Sequence, residues 1–505
     1  MQSLNISQYE SQINTYNLIK DKTSKVEWLI NSIISESKKL DLFSEKVLFY
    51  DSSTNYENNT NDLVKFCLCK LKEFSDEVDN NDNETDLYLP KELFFSLVTE
   101  AYTSNDLRIR NIALDILINF SSVSSSLTKY FVEEEGKKKP FGILFSMTFL
   151  QSPQIISNCF LLIGNIFYDC KNEIEDIIQI YPIHHRIREI LQSNIDIDPK
   201  EIINFHLSCL SILNQITFAI TSFDDFVDFI PLIQKYFINN CFSNESLYNE
   251  VLSLLAAITR SDQVCDKIME CGMSWHFLHL LNQKKTLTQN DYLNLLLQIF
   301  SNLLYQKYIV DFYINAKCFP SFEKILNTFI NSANPKDNSI IQSCIFALGN
   351  IAGGTAEQIN KIFCTNLPKL ILQVCKIKNT NAIYFETCSF FFNSISNGDN
   401  QEVISIIKMK GMKLFCEGLN KSINSDNVIL CLKGILRLLK RNMEIYNTIQ
   451  NLKNEYYGYC GKKNIDVLMD NKNETISMLA TQLNDLIEKN EIANENCIVD
   501  NNNIN

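Results

Sequence analysis

The sequence predicts an all-α fold, a solenoid of stacked helical repeats, and three observations lead to it. Only 9 prolines and 13 glycines occur among 505 residues. That is below the ~5% and ~7% of an average chain, and it favours long helices with short corners over the turn-dense spacing of a sandwich or barrel. Next, four segments read as an apolar helix end, a corner and another apolar helix: Ile268 to Leu281, Tyr313 to Leu326, Ile362 to Leu372 and Ile406 to Leu419. Their corners, Gly272, Lys317, Asn366 and Gly411, are spaced 45, 49 and 45 residues apart. Finally, a longer apolar helix recurs, most clearly around Phe160 to Ile166 and Phe346 to Ile351, with further copies at Leu117 to Phe120 and Phe300 to Leu303. Aligning these copies marks positions 119, 165, 215, 257, 302, 350, 393 and 437, at steps of 46, 50, 42, 45, 48, 43 and 44.

A repeat of ~40 to 47 residues is the period of armadillo and HEAT solenoids. A unit of this size cannot bury its apolar face alone, so successive units stack and share one core. With 505 residues and 46% hydrophobic composition, the chain is also longer than the roughly 250 to 300 residues at which a single compact core stops growing. The predicted fold is therefore an armadillo-repeat, right-handed superhelical solenoid with a concave side. Glycine and asparagine at three of the four corners suit a left-handed backbone turn between short helices; Lys317 does not fit that rule.

Along the chain, residues 1–50 carry helical patterning, with Trp28, Leu29, Ile33 and Ile34 on one face. Residues 51–86 form an acidic and asparagine-rich linker, and residues 87–450 hold the repeats. Residues 451–490 close the array as a last repeat, and 491–505 read as a disordered, Asn-rich tail.

Forty-six basic and 59 acidic residues give a net charge of −13, which repels nucleic acid and anionic membranes and favours basic partners. The first twenty residues resemble neither a signal nor a transit peptide, and no uncharged apolar stretch is expected to reach 18 residues. The 17 cysteines are scattered and odd in number, several inside apolar runs, as expected of buried free thiols in a reducing, intracellular setting. No phosphate-binding loop, dinucleotide fingerprint or nucleophile elbow is present. Cys271, His276 and His279 match no common zinc spacing, and Cys67 and Cys69 are too close for a redox pair. An enzyme, a cofactor and a metal are all unexpected.

The third-helix pattern, with Asn350 to Ile359 following it, resembles the armadillo repeats of the importin alpha family of nuclear-import adaptors. The ending resembles that family's last repeat: Tyr457-Gly458, Lys463 to Leu468, Asn473-Glu474 and Leu486 to Lys489. The likeness runs roughly from Leu87 to Lys489. It implies a binder of lysine-rich localisation peptides, a monomer that works between cytoplasm and nucleus, carried by an importin beta-type receptor and met by an export receptor at its last repeat.

In that family a tryptophan and, four residues on, an asparagine line the groove. Positions i and i+4 share a helix face, the amide can donate to and accept from an extended peptide backbone, and the rings flank lysine stems. The amide stands here at Asn119, Asn165, Asn302, Asn350 and Asn393, and is replaced by Gln215, Ala257 and Arg437. Four residues earlier, only Phe346 offers a ring. By position, Thr128 and Asp169 correspond to the lysine pocket of the family's larger site and Glu386 to an acidic contact of its smaller one. The Arg- and Lys-rich arm that begins family members is missing: residues 1–50 hold six lysines, six acids and no arginine. The absent tryptophans and arm leave open a second expectation, an armadillo scaffold outside transport.

Overall fold

A computed structural model describes Lys72 and residues 91–132, 140–150, 152–193, 202–238, 244–283, 290–421, 424–460 and 463–502. Apart from Lys72, the segments expected as an N-terminal helix, as the linker and as the Cys67–Cys69 pair lie outside these residues. The chain forms two units, Met1–Ala257 and Ile258–Asn505. All regular structure among the described residues is helical.

In the first unit, α1 (Lys91–Thr103) and α2 (Leu107–Val123) precede a repeat of three helices, α3 (Ser125–Val132), α4 (Pro140–Met147) and α5 (Pro153–Asp169). A second repeat follows as α6 (Ile174–Ile180), α7 (Ile183–Gln192) and α8 (Ile202–Ala219). The unit closes with the short α9 (Phe229–Leu232) and the long α10 (Glu245–Ile258). The second unit contains five three-helix repeats. They are α11 (Asp262–Glu270), α12 (Met273–Asn282) and α13 (Asn290–Leu303); α14 (Lys307–Asn315), α15 (Phe319–Phe329) and α16 (Asp337–Ala352); α17 (Ala356–Phe363), α18 (Leu367–Lys378) and α19 (Asn381–Asn397); α20 (Asn400–Lys408), α21 (Gly411–Lys421) and α22 (Ser425–Tyr446); and α23 (Gln450–Cys460), α24 (Lys463–Met469) and α25 (Glu474–Asn502). This is the armadillo arrangement that the period predicts. Within each unit the third helices pack on one another, α2 on α5 and α5 on α8, then α13 on α16, α19, α22 and α25 in turn. α25 continues to Asn502, through most of the tail expected to be disordered; Glu488, Glu491, Ala493 and Glu495 are good helix formers that carry it past Asn490.

The repeat built from α17 to α19 shows how the sequence specifies the unit. Thr355 caps α17 in a capping box, its hydroxyl accepting from Gln358 N while the Gln358 side chain accepts from Thr355 N. Buried Gln358 also donates to Lys307 O at 3.0 Å and Asp311 Oδ1 at 2.8 Å on the preceding repeat. Pro368 sits in the first turn of α18, and Asn379 ends that helix in the left-handed region. Ile359, Ile362, Ile371, Val374, Phe390 and Ile395 are fully buried between the three helices. Each such side chain contributes about 1.5–3 kcal/mol on leaving water.

α8 is an uncharged 18-residue helix with a mean hydropathy of 1.3, apolar enough by length and composition to cross a membrane. It corrects the expectation that no uncharged apolar stretch reaches 18 residues, although Asn204, His206, Asn214 and Gln215 interrupt its apolar run. Here it serves as a repeat helix, with Phe205, Cys209, Leu213 and Ile216 buried.

The corners differ in detail from the expectation. Gly272 is left-handed at φ 73°, and so is Lys317 at 60°, so the residue that broke the composition rule still takes the conformation. At the last corner the left-handed residue is Lys410, φ 69°, not Gly411. Gly411 is required for space: a Cβ there would stand 2.6 Å from Ile406 Cγ2. Asn366 is right-handed, φ −85°, because Pro368 already fixes the start of α18. Since a left-handed side-chain-bearing residue costs about 1–2 kcal/mol and glycine loses roughly 0.5–1 kcal/mol more backbone entropy, exposed Lys317→Gly should stabilise the second unit. A gain of about 0.5 kcal/mol is expected as a higher urea midpoint at unchanged slope.

Candidate peptide-binding site

The aligned amides all lie on third helices, half-buried, and four of them make one repeated contact. Asn165 Nδ2 donates to Ser121 Oγ at 2.8 Å and, at 3.4 Å, to Ile118 O. Gln215 Nε2 donates to Gly164 O at 3.3 Å, Asn350 Nδ2 to Ser301 O at 2.7 Å, and Asn393 Nδ2 to Gly349 O at 3.0 Å. In each case the accepting carbonyl belongs to the residue just before the aligned position of the preceding repeat. Asn302 Nδ2 reaches Thr259 Oγ1 at 3.0 Å instead, and Arg437 Nη2 reaches Ser396 O at 3.2 Å.

The amide is therefore first a staple between repeats. At Ser301 it also meets a carbonyl near a helix end, where the backbone N–H groups of residues 304, 305 and 306 bond to Phe300, Asn302 and Leu303 and pass Ser301 by. A primary amide has a second N–H and an acceptor oxygen. Asn350 and Asn393 engage neither in the fold, so both can still face a peptide backbone.

In the second unit Phe346, one turn before Asn350, has its ring 46% exposed. It is a surface ring, which its sequence alone did not decide. Glu386 on α19 accepts from Gln342 Nε2 at 3.3 Å. Gln342 precedes Phe346 by one turn on the same face of α16, so the carboxylate lies about a turn from the ring. Burial pushes the Glu386 carboxyl above its usual range, and the Gln342 bond only partly offsets this. No cation pairs with it among the described residues.

In the first unit the fold brings Thr128 and Asp169 together. Thr128 is fully buried, with its hydroxyl 2.8 Å from both Ser125 O and Asp169 Oδ2. Asp169 ends α5, and the adjacent Cys170 thiol is pushed up to about 11 by burial and then by Glu173. Asn119 is half-buried on α2. In the same unit α5, α8 and α10 enclose a groove of about 420 Å³, lined by Gln154, Asn158, Leu161, Asn204, Ser208, Ser211 and Glu250 among others. Its lining is apolar at Leu161 and Leu207 and otherwise mostly amide and hydroxyl, and its one carboxylate, Glu250, already accepts from Asn214 Nδ2 at 2.6 Å. Such a surface suits peptide backbone better than a run of ammonium groups. At another edge of this unit His184, His185 and Asp225 converge, with His184 Nε2 3.6 Å from Asp225 Oδ2; burial, and then His185, lower the His184 pKa.

The sequence reading looked for rings four residues before the amide and missed those three residues after it. Tyr168, Phe218 and Tyr305 are 66%, 79% and 80% exposed, and exposed Arg260 occupies the same register. Positions −4, 0 and +3 fall on one helical stripe, so rings absent from one end of the stripe stand at its other end. Tabulating the third residue after each aligned position would have found them.

No protein-family model matches the chain, and no curated protein matches it. Among solved structures, an engineered protein from a structural genomics consortium is similar over 90% of this chain and 99% of its own, with a TM-score of 0.60 and 13% identity. Two shorter designed armadillo repeat proteins also match. One was computationally designed for modular peptide recognition, covering 51% of this chain and 99% of its own at a TM-score of 0.42 and 15% identity. The other is in complex with the peptide (KR)4, covering 49% and 95% at 0.41 and 16%.

Proposed function

We propose that the protein is an armadillo adaptor, similar to importin alpha, that binds an extended peptide along the third helices of its second unit and takes a lysine or arginine side chain between Phe346 and Glu386. The observation that carries this reading is Glu386 itself, a half-buried carboxylate whose only side-chain partner among the described residues is a neutral amide. A ligand ammonium would supply the missing charge, the exposed Phe346 ring would cover its stem, and Asn350 and Asn393 would hold the backbone. Thr128 with Asp169 would offer a second, weaker lysine site in the first unit. On this reading the protein is a non-enzymatic monomer that moves between cytoplasm and nucleus, with α23 to α25 meeting an export receptor and an importin beta-type carrier engaged without a basic arm.

A scaffold outside transport is the second reading, favoured by the exposed rings of Tyr168 and Phe218 on α5 and α8 and by a groove between these helices that is poor in acids. The discriminating experiment is fluorescence polarisation of a short lysine-rich peptide and its alanine-for-lysine control. Lysine-dependent binding is expected, with Asn350→Ala and Asn393→Ala each weakening it about five-fold, the worth of one hydrogen bond. Because both amides also staple repeats, thermal unfolding of the variants is measured alongside. Equal affinity for both peptides would overturn the import-adaptor reading and leave the scaffold.

A further inference from the structure

The third helix of the fourth repeat of the second unit, α22, carries different chemistry on the same stripe. Arg437 holds the aligned position, Lys433 stands four residues before it, and Lys440 and Arg441 three and four after. This i, i+4, i+7, i+8 spacing places four cations on one helix face. Lys433 and Lys440 are exposed and make no ion pair among the described residues. Arg437 and Arg441 are oriented by neutral acceptors, and Arg437 makes no ion pair among the described residues. Arg437 Nη2 donates to Ser396 O at 3.2 Å, and Arg441 Nη2 to Gly398 O at 3.0 Å and Asn400 Oδ1 at 3.1 Å. In both guanidinium groups the Nε is buried and lacks a hydrogen-bond acceptor. Glu444 pairs with Arg441 Nη1 at 3.3 Å. The other acid on the stripe, Asp426, sits in the first turn of the helix, about 10 Å along the axis from Lys433.

We infer that this stripe is a binding site for a carboxylate-rich peptide segment of a partner protein. The exposed Lys433 and Lys440 ammonium groups are the donors open to a carboxylate, and the half-buried guanidinium groups of Arg437 and Arg441, held by backbone carbonyls, add fixed positive charge to the same face. Holding that charge in place beforehand lowers the entropy lost when the ligand arrives. From Lys433 to Arg441 the stripe extends about 12 Å, the reach of roughly four extended residues. The neighbouring α19 offers the exposed amide of Asn397 to their backbone. A nucleic acid would also present anions, but it runs on past a stripe of this length over a protein of net charge −13, which disfavours it. The inference is independent of the lysine site, since α22 selects acid whether or not Glu386 selects lysine.

The test uses the full chain and a fluorescent peptide bearing four Glu and Asp residues, with the Gln and Asn isostere as control, at two salt concentrations. Lys433→Gln/Lys440→Gln is the principal variant, because both side chains are exposed and make no ion pair among the described residues. Arg437→Gln is the second, with its circular dichroism melt checked. Binding of the acidic peptide is expected to weaken roughly ten-fold in the isostere and in each variant, and to lose part of its salt dependence in the variants. Equal binding of peptide and isostere, or a lysine double variant that binds like the unmodified chain, would overturn the assignment. So would a single-stranded RNA oligomer that displaces the peptide at lower concentration and requires the same lysines, which would reassign the stripe to nucleic acid.

Discussion

Gly434→Ala should destabilise the second unit by about 2 kcal/mol, although alanine is the better helix former. Gly434 lies inside α22, against the fully buried ring of Phe415 on α21. A Cβ at this position would stand 2.7 Å from Phe415 Cζ and closer still to Cε1 and Cδ1. Two effects oppose each other. Replacing an interior glycine gains about 1 kcal/mol of helix propensity, whereas forcing a methyl into a packed core costs typically 1–3 kcal/mol and here falls at the high end, because three ring atoms must move together. Overpacking wins. Gly458→Ala on α23 separates the two effects, since nothing stands within 4 Å of its Cβ and only the favourable propensity gain of about 0.5–1 kcal/mol remains. Urea unfolding of the two variants should move in opposite directions. Adding Phe415→Leu to Gly434→Ala should recover part of the loss as a coupling energy. A Gly434→Ala protein as stable as the parent would show that the ring gives way freely.

The repeat period was legible in the sequence because it is carried by large apolar residues whose spacing survives any change of surface. The amide register was legible as well, and the hydrogen bonds of Asn165, Gln215, Asn350 and Asn393 to one equivalent carbonyl fit the alignment. What those amides do was not legible. An asparagine on a helix face reads the same whether it staples a neighbouring helix or waits for a peptide, and only the position of the preceding repeat shows that it begins by stapling. Phe346 posed the same problem, since a phenylalanine at helical spacing is core or surface according to a neighbour about 45 residues away in sequence. Lys317 and Lys410 show the limit at the corners. Composition points to glycine in a left-handed turn, yet packing of the two flanking helices imposes the turn on lysine, while Gly411 answers to a contact with Ile406.

Glu386→Gln is expected to act in opposite directions on stability and on binding, a pairing that a merely structural carboxylate would not give. Burial raises the folded-state pKa of Glu386 above the roughly 4.3 of an unfolded glutamate. Between those two values the folded protein holds more protons than the unfolded chain, so stability falls as pH rises through that window and remains lower at neutral pH. Glutamine keeps the shape and can still accept from Gln342 without a charge to desolvate. The free variant should therefore unfold at a higher urea concentration than the parent at pH 7, and the gap should close as pH falls below the unfolded-state value. The lysine peptide loses its only buried counter-charge in this site, and its affinity should drop roughly ten-fold, the usual worth of a charge-assisted hydrogen bond. Added salt should narrow that difference. If Glu386→Gln lowered stability and left peptide affinity unchanged, Glu386 would be a partner of Gln342 in the fold, and the cation site between α16 and α19 would have to be abandoned.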